Sequence, residues 1–345
     1  MKKLVLFSMI GLMILLSASA GEPVAQITFR VRDDAGAVVT GAVVQMNTFE
    51  RWVPGGEFGK DIRRRVEGVT DTNGLVVLQI PSLRGSVKYG VYVKGKYFDN
   101  IMKMKVAGAT YYRDMGGSFY FTNHIAGKWQ PWDTFVDVEI KPVLNPIPMF
   151  ARSFVNRRPR LQIPEYGKAI GFDLMKGDWV LPYGKGDMSD LIITLDCKMG
   201  DGITADGYQI YDASLKLSFS NDGDGILPIY IHPMKGSAFR LPRFADEVGY
   251  VSNWVKTAYT HEHESHYGNR DDENYFFRVR TKRDKYGVIT NALYGKIQGI
   301  LSFDYEKNIS FTYYLNPTPN DRNMEFDPSR NLLTDLKPFE QVKEP

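Results

Sequence analysis

The chain has 345 residues, with 43 Lys and Arg against 40 Asp and Glu, a formal net charge of +3 and a single cysteine. So small a basic excess excludes a general nucleic-acid binder, which must neutralise many phosphates, and one thiol excludes an internal disulfide. Abundant aromatic residues, 20 Tyr and 20 Phe, beside 32 Gly and 18 Pro indicate a β-dominated protein, because aromatic side chains pack well on pleated surfaces.

The chain opens with Lys2 and Lys3, an apolar run from Leu4 to Leu16, and the small residues Ser17, Ala18, Ser19 and Ala20. That order is a secretory signal peptide over 1–20, and small side chains at Ala18 and Ala20 place the cut between Ala20 and Gly21. The apolar run is shorter than the roughly 20 residues that span a bilayer; an uncleaved anchor is the alternative reading. No cysteine near the cut supports lipid attachment, and no later segment reads as a membrane span. The expected protein is exported, periplasmic or secreted, with no membrane insertion once the signal is removed. Without Lys2 and Lys3 its net charge falls to +1. About 325 residues remain, which suggests two domains and a tail: 21–110, 111–320 and 321–345.

In the first domain Gln26–Arg32 alternates Ile27, Phe29 and Val31 with polar neighbours, the period of a half-buried strand. A turn at Asp33–Gly36 leads to a strand at Gly41–Met46, and a polar excursion covers 53–65. Thr70–Gly74 is a turn in which Asn73 and Gly74 tolerate positive φ, and strands at Leu75–Ile80 and Tyr89–Val93 complete the set. Val31–Asp33 with Gly36, Val39 with Gly41–Val44, Thr70–Asp71 with Asn73–Gly74, then Tyr89–Val93 and Gly95–Tyr97 resemble the carboxypeptidase-regulatory-like family. The resemblance covers about a quarter of the chain. It implies a transthyretin-like or Ig-like β-sandwich used as a scaffold or spacer, with no peptidase chemistry.

The second domain is expected to be larger, antiparallel and β-rich. Asp133–Lys141 alternates, with Phe135, Val136, Val138 and Ile140 as its apolar set. Leu144–Phe150 holds two prolines that remove donors, which makes it a linker or edge. Asp190–Asp196 and Ala213–Ser220 are strands, and Tyr275–Arg280, Val288–Tyr294, Ile297–Tyr305 and Ile309–Leu315 form a meander. One amphipathic helix is expected over Arg243–Ala258, because Phe244, Val248, Val251, Trp254, Val255 and Ala258 recur at three- and four-residue steps after Pro242. The tail is expected to wrap the surface and fray. Gly171–Val180, Ala292–Lys296 and Tyr313–Asp327 resemble uncharacterised exported proteins of anaerobic gut-type bacteria, from which no activity transfers.

Candidate chemistry is sparse. His261, His263 and His266 stand with Glu262 and Glu264 in a seven-residue stretch, and imidazole and carboxylate are zinc or copper ligands. The spacing is not His-Glu-x-x-His, so a solvated loop competes with a metal site. Asn221–Gly225 resembles a calcium loop but lacks a later carboxylate. Asp173, Asp178, Asp187 and Asp190 cluster around the Gly-rich stretch 176–186, where paired carboxylates would suit glycoside hydrolysis. Trp52, Trp129, Trp132 and Trp179 are either sugar-stacking platforms or core. Arg63–Arg65 and Arg157–Arg158 are either solvated or aimed at an anionic glycan. Cys197 is an inert thiol or an intermolecular bridge. No serine-nucleophile elbow, phosphate loop or dinucleotide fingerprint is present. No catalytic, cofactor or metal residues are therefore assigned. The expected role is non-catalytic, structural or binding, with a polysaccharide or a surface protein as partner. The alternative is a secreted hydrolase of extracellular polymers, with or without dependence on a metal. Amino-terminal sequencing of the exported protein is expected to begin at Gly21; an intact Met1 terminus would identify an anchor instead.

Overall fold

Two-residue alternation is the dominant local signal in this chain, and among the described residues the regular secondary structure built from it is almost wholly strands. The computed structural model describes residues 21–52, 60–92, 101–106, 109–114, 117–155, 160–231 and 239–345. The proposed signal segment 1–20, with Ala20 of the proposed cut, and the Arg157–Arg158 pair lie outside these residues. The chain divides into two units, one taking the described residues within 1–31, 38–90 and 117–138, the other those within 32–37, 91–116 and 139–345.

The first unit contains β1 (Val24–Asp33), β2 (Val43–Trp52), β3 (Lys60–Val69), β4 (Leu75–Pro81) and β5 (Ser86–Tyr92). A separate hairpin follows, β6 (Ile101–Val106) with β7 (Ala109–Asp114). The unit is completed by β8 (Gly117–Tyr120), β9 (Asn123–Ile125), β10 (Lys128–Gln130) and most of β11 (Thr134–Ile140). Strands beyond residue 110, the expected end of the N-terminal domain, therefore lie in this unit. One sheet runs β11-β1-β10-β9, with β4 also on β1, and the other runs β3-β2-β5-β8. Ile27, Phe29 and Val31 are fully buried, as the alternation requires, with Val44, Met46, Ile80 and Val87. Phe29 packs on Tyr89 of the other sheet at 5.2 Å. Gly74 sits at φ +72°, and a Cβ there would meet the Val31 carbonyl at 2.7 Å; this turn requires glycine.

The second unit contains β12 (Phe150–Ser153), β13 (Leu161–Gln162), β14 (Ile170–Asp173), β15 (Asp178–Trp179), β16 (Leu191–Ile203), β17 (Gln209–Ser218) and β18 (Gly225–Tyr230). It continues with β19 (Asn253–Thr260), β20 (Ser265–His266), β21 (Glu273–Arg283), β22 (Ile289–Ile297), β23 (Ser302–Phe303), β24 (Asn308–Ser310) and β25 (Thr312–Leu315). A six-stranded sheet runs β15-β14-β16-β17-β19-β20, a five-stranded sheet β12-β25-β22-β21-β18, and a small one β13-β24-β23. Leu191, Ile193, Leu195, Leu215 and Leu217 of the six-stranded sheet share one core with Tyr275, Phe277, Val279, Tyr313 and Leu315 of the five-stranded sheet. Phe154, Phe172, Phe311 and Tyr313 meet there with ring centroids 5.2–6.4 Å apart.

The two sheets differ on their outer faces. Phe276, Ala292 and Tyr294 of the five-stranded sheet are covered by Phe239, Leu241, Ala245 and Met324. Tyr314 and Ala151 are covered by Met149, Phe326 and Val342. Burial on both faces explains the unbroken apolar run Tyr275–Phe277, a pattern that strict alternation does not produce. It also overturns the expected fraying tail, because Met324, Glu325 and Phe326 are fully buried.

The expected helix over Arg243–Ala258 is absent. Isolated bridges join Phe244 to Asn323 and Val251 to Ile226, and β19 begins at Asn253. Gly249 at φ +92° interrupts any helical path, and three β-branched valines favour extended backbone. The residues that looked like one face separate: Phe244, Val248 and Val255 are exposed, while Ala258 is buried. The meander also differs in detail, since β22 ends at Ile297 and residues 309–315 fall into two strands, broken at Phe311.

Lys296 is fully buried on β22, with its ammonium 4.3 Å from the Tyr314 ring, 4.8 Å from Phe239 and donating to the Met324 carbonyl at 2.9 Å. Burial, and secondarily the Lys141 charge, lowers its pKa to about 7. The unfolded chain therefore holds more protons between about pH 7 and the ordinary 10.5. Stability rises with pH across that window, and below it the penalty is complete. Thermal unfolding from pH 7 to 9.5 is expected to show this rise in the wild type and not in Lys296→Met.

Candidate functional site

The histidine cluster occupies the turn from β19 to β20, closed by the His261 N–H donating to Glu264 O at 2.8 Å. All three histidines are exposed. The Tyr259 ring stacks with His261 at 4.7 Å and with His266 at 5.4 Å, and its hydroxyl donates to Glu264 at 2.6 Å. His261 Nε2 lies 2.9 Å from Asp212 Oδ1 on β17. Among the described residues, no three His, Cys, Asp or Glu side chains converge as a metal set. These groups instead brace Tyr259.

The acidic loop 173–190 is an architectural clasp. Arg280 lies at a bulge in β21 with φ +57°, a costly conformation for a non-glycine residue. It donates to both oxygens of Asp190, at 2.7 and 2.9 Å, and to Asp173 Oδ1 at 3.2 Å. Asp190 also accepts from Leu174 N, and Asp173 accepts from the amides of Met175, Lys176, Asp187 and Met188. Burial raises the Asp190 carboxyl above its ordinary range, opposed by Arg280. Asp178 accepts from Trp179 N and Lys185 N. Asp187 is exposed, 4.0 Å from Lys176. Every oxygen of Asp173 and Asp190 is occupied by protein donors, so neither is available to a substrate.

The other candidates resolve similarly. Asp224 accepts from Asn221 and from the amides of Arg280 and Thr281, which ties the calcium-like turn to β21. Trp129 is buried with its indole donating to Ser82 O at 2.7 Å, and Trp179 is buried. Trp132 is half-buried beside Lys128, and the Trp52 side chain lies outside the described residues. Arg64 pairs with Glu22 at 2.6 Å and Arg65 with Glu67; the Arg63 side chain lies outside the described residues.

The feature missed in the sequence is a groove of about 680 Å³ on the outer face of the six-stranded sheet. Tyr166, Asp196, Lys198, Asp212, Ser214, Thr257 and Tyr259 contribute to it. Strand register aligns Lys198, Asp212 and Tyr259 in one row across β16, β17 and β19, and Asp196, Ser214 and Thr257 in the next. Tyr166 is 44% exposed, and its hydroxyl donates to the Tyr305 carbonyl. Cys197 also lines the groove, half-buried, and its thiol is pushed up by burial and then by Asp212. That direction removes thiolate character. The signal available in the sequence was the polar alternation Asp196–Lys198 and Asp212–Ser214.

Arg280→Ala would leave two carboxylates buried without their cation, a loss of about 3–5 kcal/mol. Urea unfolding is expected to show a loss of that order, whereas Lys176→Ala, which removes an exposed pairing with Asp187, should shift the midpoint little.

No protein-family model matches the chain, and no curated protein matches it. Among solved structures the chain is similar to the crystal structure of BcpA, the major pilin subunit of Bacillus cereus, at 11% identity. That alignment covers 88% of this chain and 99% of the pilin, with a TM-score of 0.20, a likeness too low to carry an argument.

Proposed function

We propose that the chain is an exported, non-catalytic binding or structural protein whose partner is a polysaccharide or another surface protein. The observation that carries this reading is the commitment of its withdrawn charges to architecture. Lys256 pairs with Glu273 at 2.8 Å inside the second unit, Glu325 with Arg243, and Asp173 and Asp190 with Arg280. A catalytic acid or base needs access to substrate and a tuned pKa, and these groups are instead engaged with partners inside the protein. A concave surface of about 680 Å³ on the six-stranded sheet is lined by hydroxyls, carboxylates, an ammonium and tyrosine rings, a composition suited to hydrogen-bonding a polar ligand.

Export rests on Lys2, Lys3 and the apolar run to Leu16. Among the described residues no helix is long and apolar enough to cross a membrane. The two facing sheets of the first unit support its assignment as a carboxypeptidase-regulatory-like module.

The test is a pull-down of the chain from Gly21 to Pro345 on insoluble polysaccharides and mucin-type glycans, with soluble sugar assayed in the same tubes. Retention without release is expected. Release would overturn the non-catalytic reading in favour of a hydrolase, and absence of both would leave a protein partner or a structural role.

A further inference from the structure

We infer that the groove on the outer face of the six-stranded sheet binds a neutral glycan chain, with Asp196 and Asp212 accepting hydrogen bonds from sugar hydroxyls between Tyr166 and Tyr259. This rests on reading the protein as a glycan binder and assigns that role to a place.

The first argument is the state of the groove's polar groups. Asp196, Lys198, Ser214 and Thr257 line it, and among the described residues none of these side chains makes a hydrogen bond or ion pair with the protein. Asp212 uses Oδ1 for His261, which leaves Oδ2 to accept. Acceptors, a cationic donor and hydroxyls that serve as either thus stand on one sheet face. Two rows two residues apart lie about 7 Å from each other, and three strands span about 10 Å, the scale of a short run of sugar rings.

The second argument is the rings. Tyr166 is held by its bond to the Tyr305 carbonyl, and Lys307 lies 5.3 Å from its centroid. Tyr259 is held by two imidazoles and Glu264. Tyr166, fixed before binding, loses little freedom when a sugar's C–H face packs on it, while Tyr259, already stacked by two imidazoles, forms a rigid edge to the groove.

The third argument is what the groove lacks. β17 is hydrogen-bonded along both edges, to β16 and to β19, so the floor offers no free main-chain ladder to an added peptide strand. Ala213 and Ala258, the apolar residues bordering the groove, belong to the core on the other face of the sheet, which leaves the outer face no apolar pocket for the anchors of an amphipathic helix. Two carboxylates against one ammonium disfavour uronates and sulfated chains. The arginines at 64 and 65, an alternative anionic-glycan site, already hold Glu22 and Glu67.

Isothermal titration of the chain from Gly21 to Pro345 with neutral gluco-, xylo- and manno-hexaoses, and with hexagalacturonate as the anionic control, tests the assignment. Binding of a neutral hexaose is expected, with no binding of the uronate. Asp196→Ala should weaken it about tenfold or more, as befits lost hydrogen bonds to a charged acceptor. Asp196→Asn, which retains one acceptor oxygen, should weaken it less. Asp196 is exposed and unpartnered, so both variants should melt with the wild type; Lys198→Ala serves as a second groove variant should either fail to do so. Unchanged affinity in Asp196→Ala and Lys198→Ala would overturn the assignment while leaving glycan binding to another surface. Binding of the uronate alone, or of no hexaose while insoluble polysaccharide still retains the protein, would also overturn it and leave the broader reading standing. Loss of both hexaose binding and polysaccharide retention would remove the glycan partner altogether.

Discussion

A strand buried on both faces must find partners for its polar side chains inside the protein, and β21 imposes that constraint on the second unit. Glu273 takes Lys256 from β19. Asn274 donates to the Ile231 and Asp272 carbonyls and accepts from Gly299 N. Arg278 donates to the Gly223 and Glu247 carbonyls, and Arg280 reaches the 173–190 loop. Leaving any of these groups buried and unpaired would cost a few kcal/mol, so each polar residue fixes the path of a loop. The same neighbourhood demands close approach: a Cβ on Gly295 of β22 would lie 2.2 Å from the Phe277 ring. Loops that would otherwise wander are set by the needs of one strand.

The asymmetry between the two sheets follows. Segments around Phe239, Met324 and Phe326 cover the five-stranded sheet, whereas the six-stranded sheet keeps an open face carrying Asp196, Lys198, Asp212 and Thr257. The polar surface that packing leaves free therefore lies on the six-stranded sheet, while Asp173 and Asp190, which could suit acid–base chemistry, act as fasteners.

Much of the fold was legible because period two is a direct consequence of the pleat. Ile27, Phe29 and Val31 face inward, and the Thr70–Gly74 turn lies where Asn73 and Gly74 put it. The false helix arose where spacing alone was read: Val248, Val251 and Val255 fit a 3.6 period, yet Trp254, Lys256 and Ala258 fit a period of two with an inward lysine. The lysine hid the strand, because its counter-ion lies 17 residues away in sequence, on the facing sheet. The groove was illegible for a related reason. Tyr166, Asp196, Asp212 and Tyr259 become neighbours only through strand register, which no local pattern encodes. Tryptophans are the residue type suited to stacking platforms, but Trp129 and Trp179 are core, and tyrosines border the open surface.

The cover over the five-stranded sheet has a kinetic side. β12 pairs with β25 across more than 150 residues, Ser153 with Thr312 and Phe150 with Leu315, and the surface beside them is sealed by Phe326 and Val342. Contacts so distant in sequence form slowly, since a long loop must close before they are made. A chain emerging from its N-terminus cannot seal this unit until Phe326 and Val342 are present. Until then Tyr314 and Ala151 lack the cover that Phe326 and Val342 provide, so completion of this face waits on contacts that are late in synthesis.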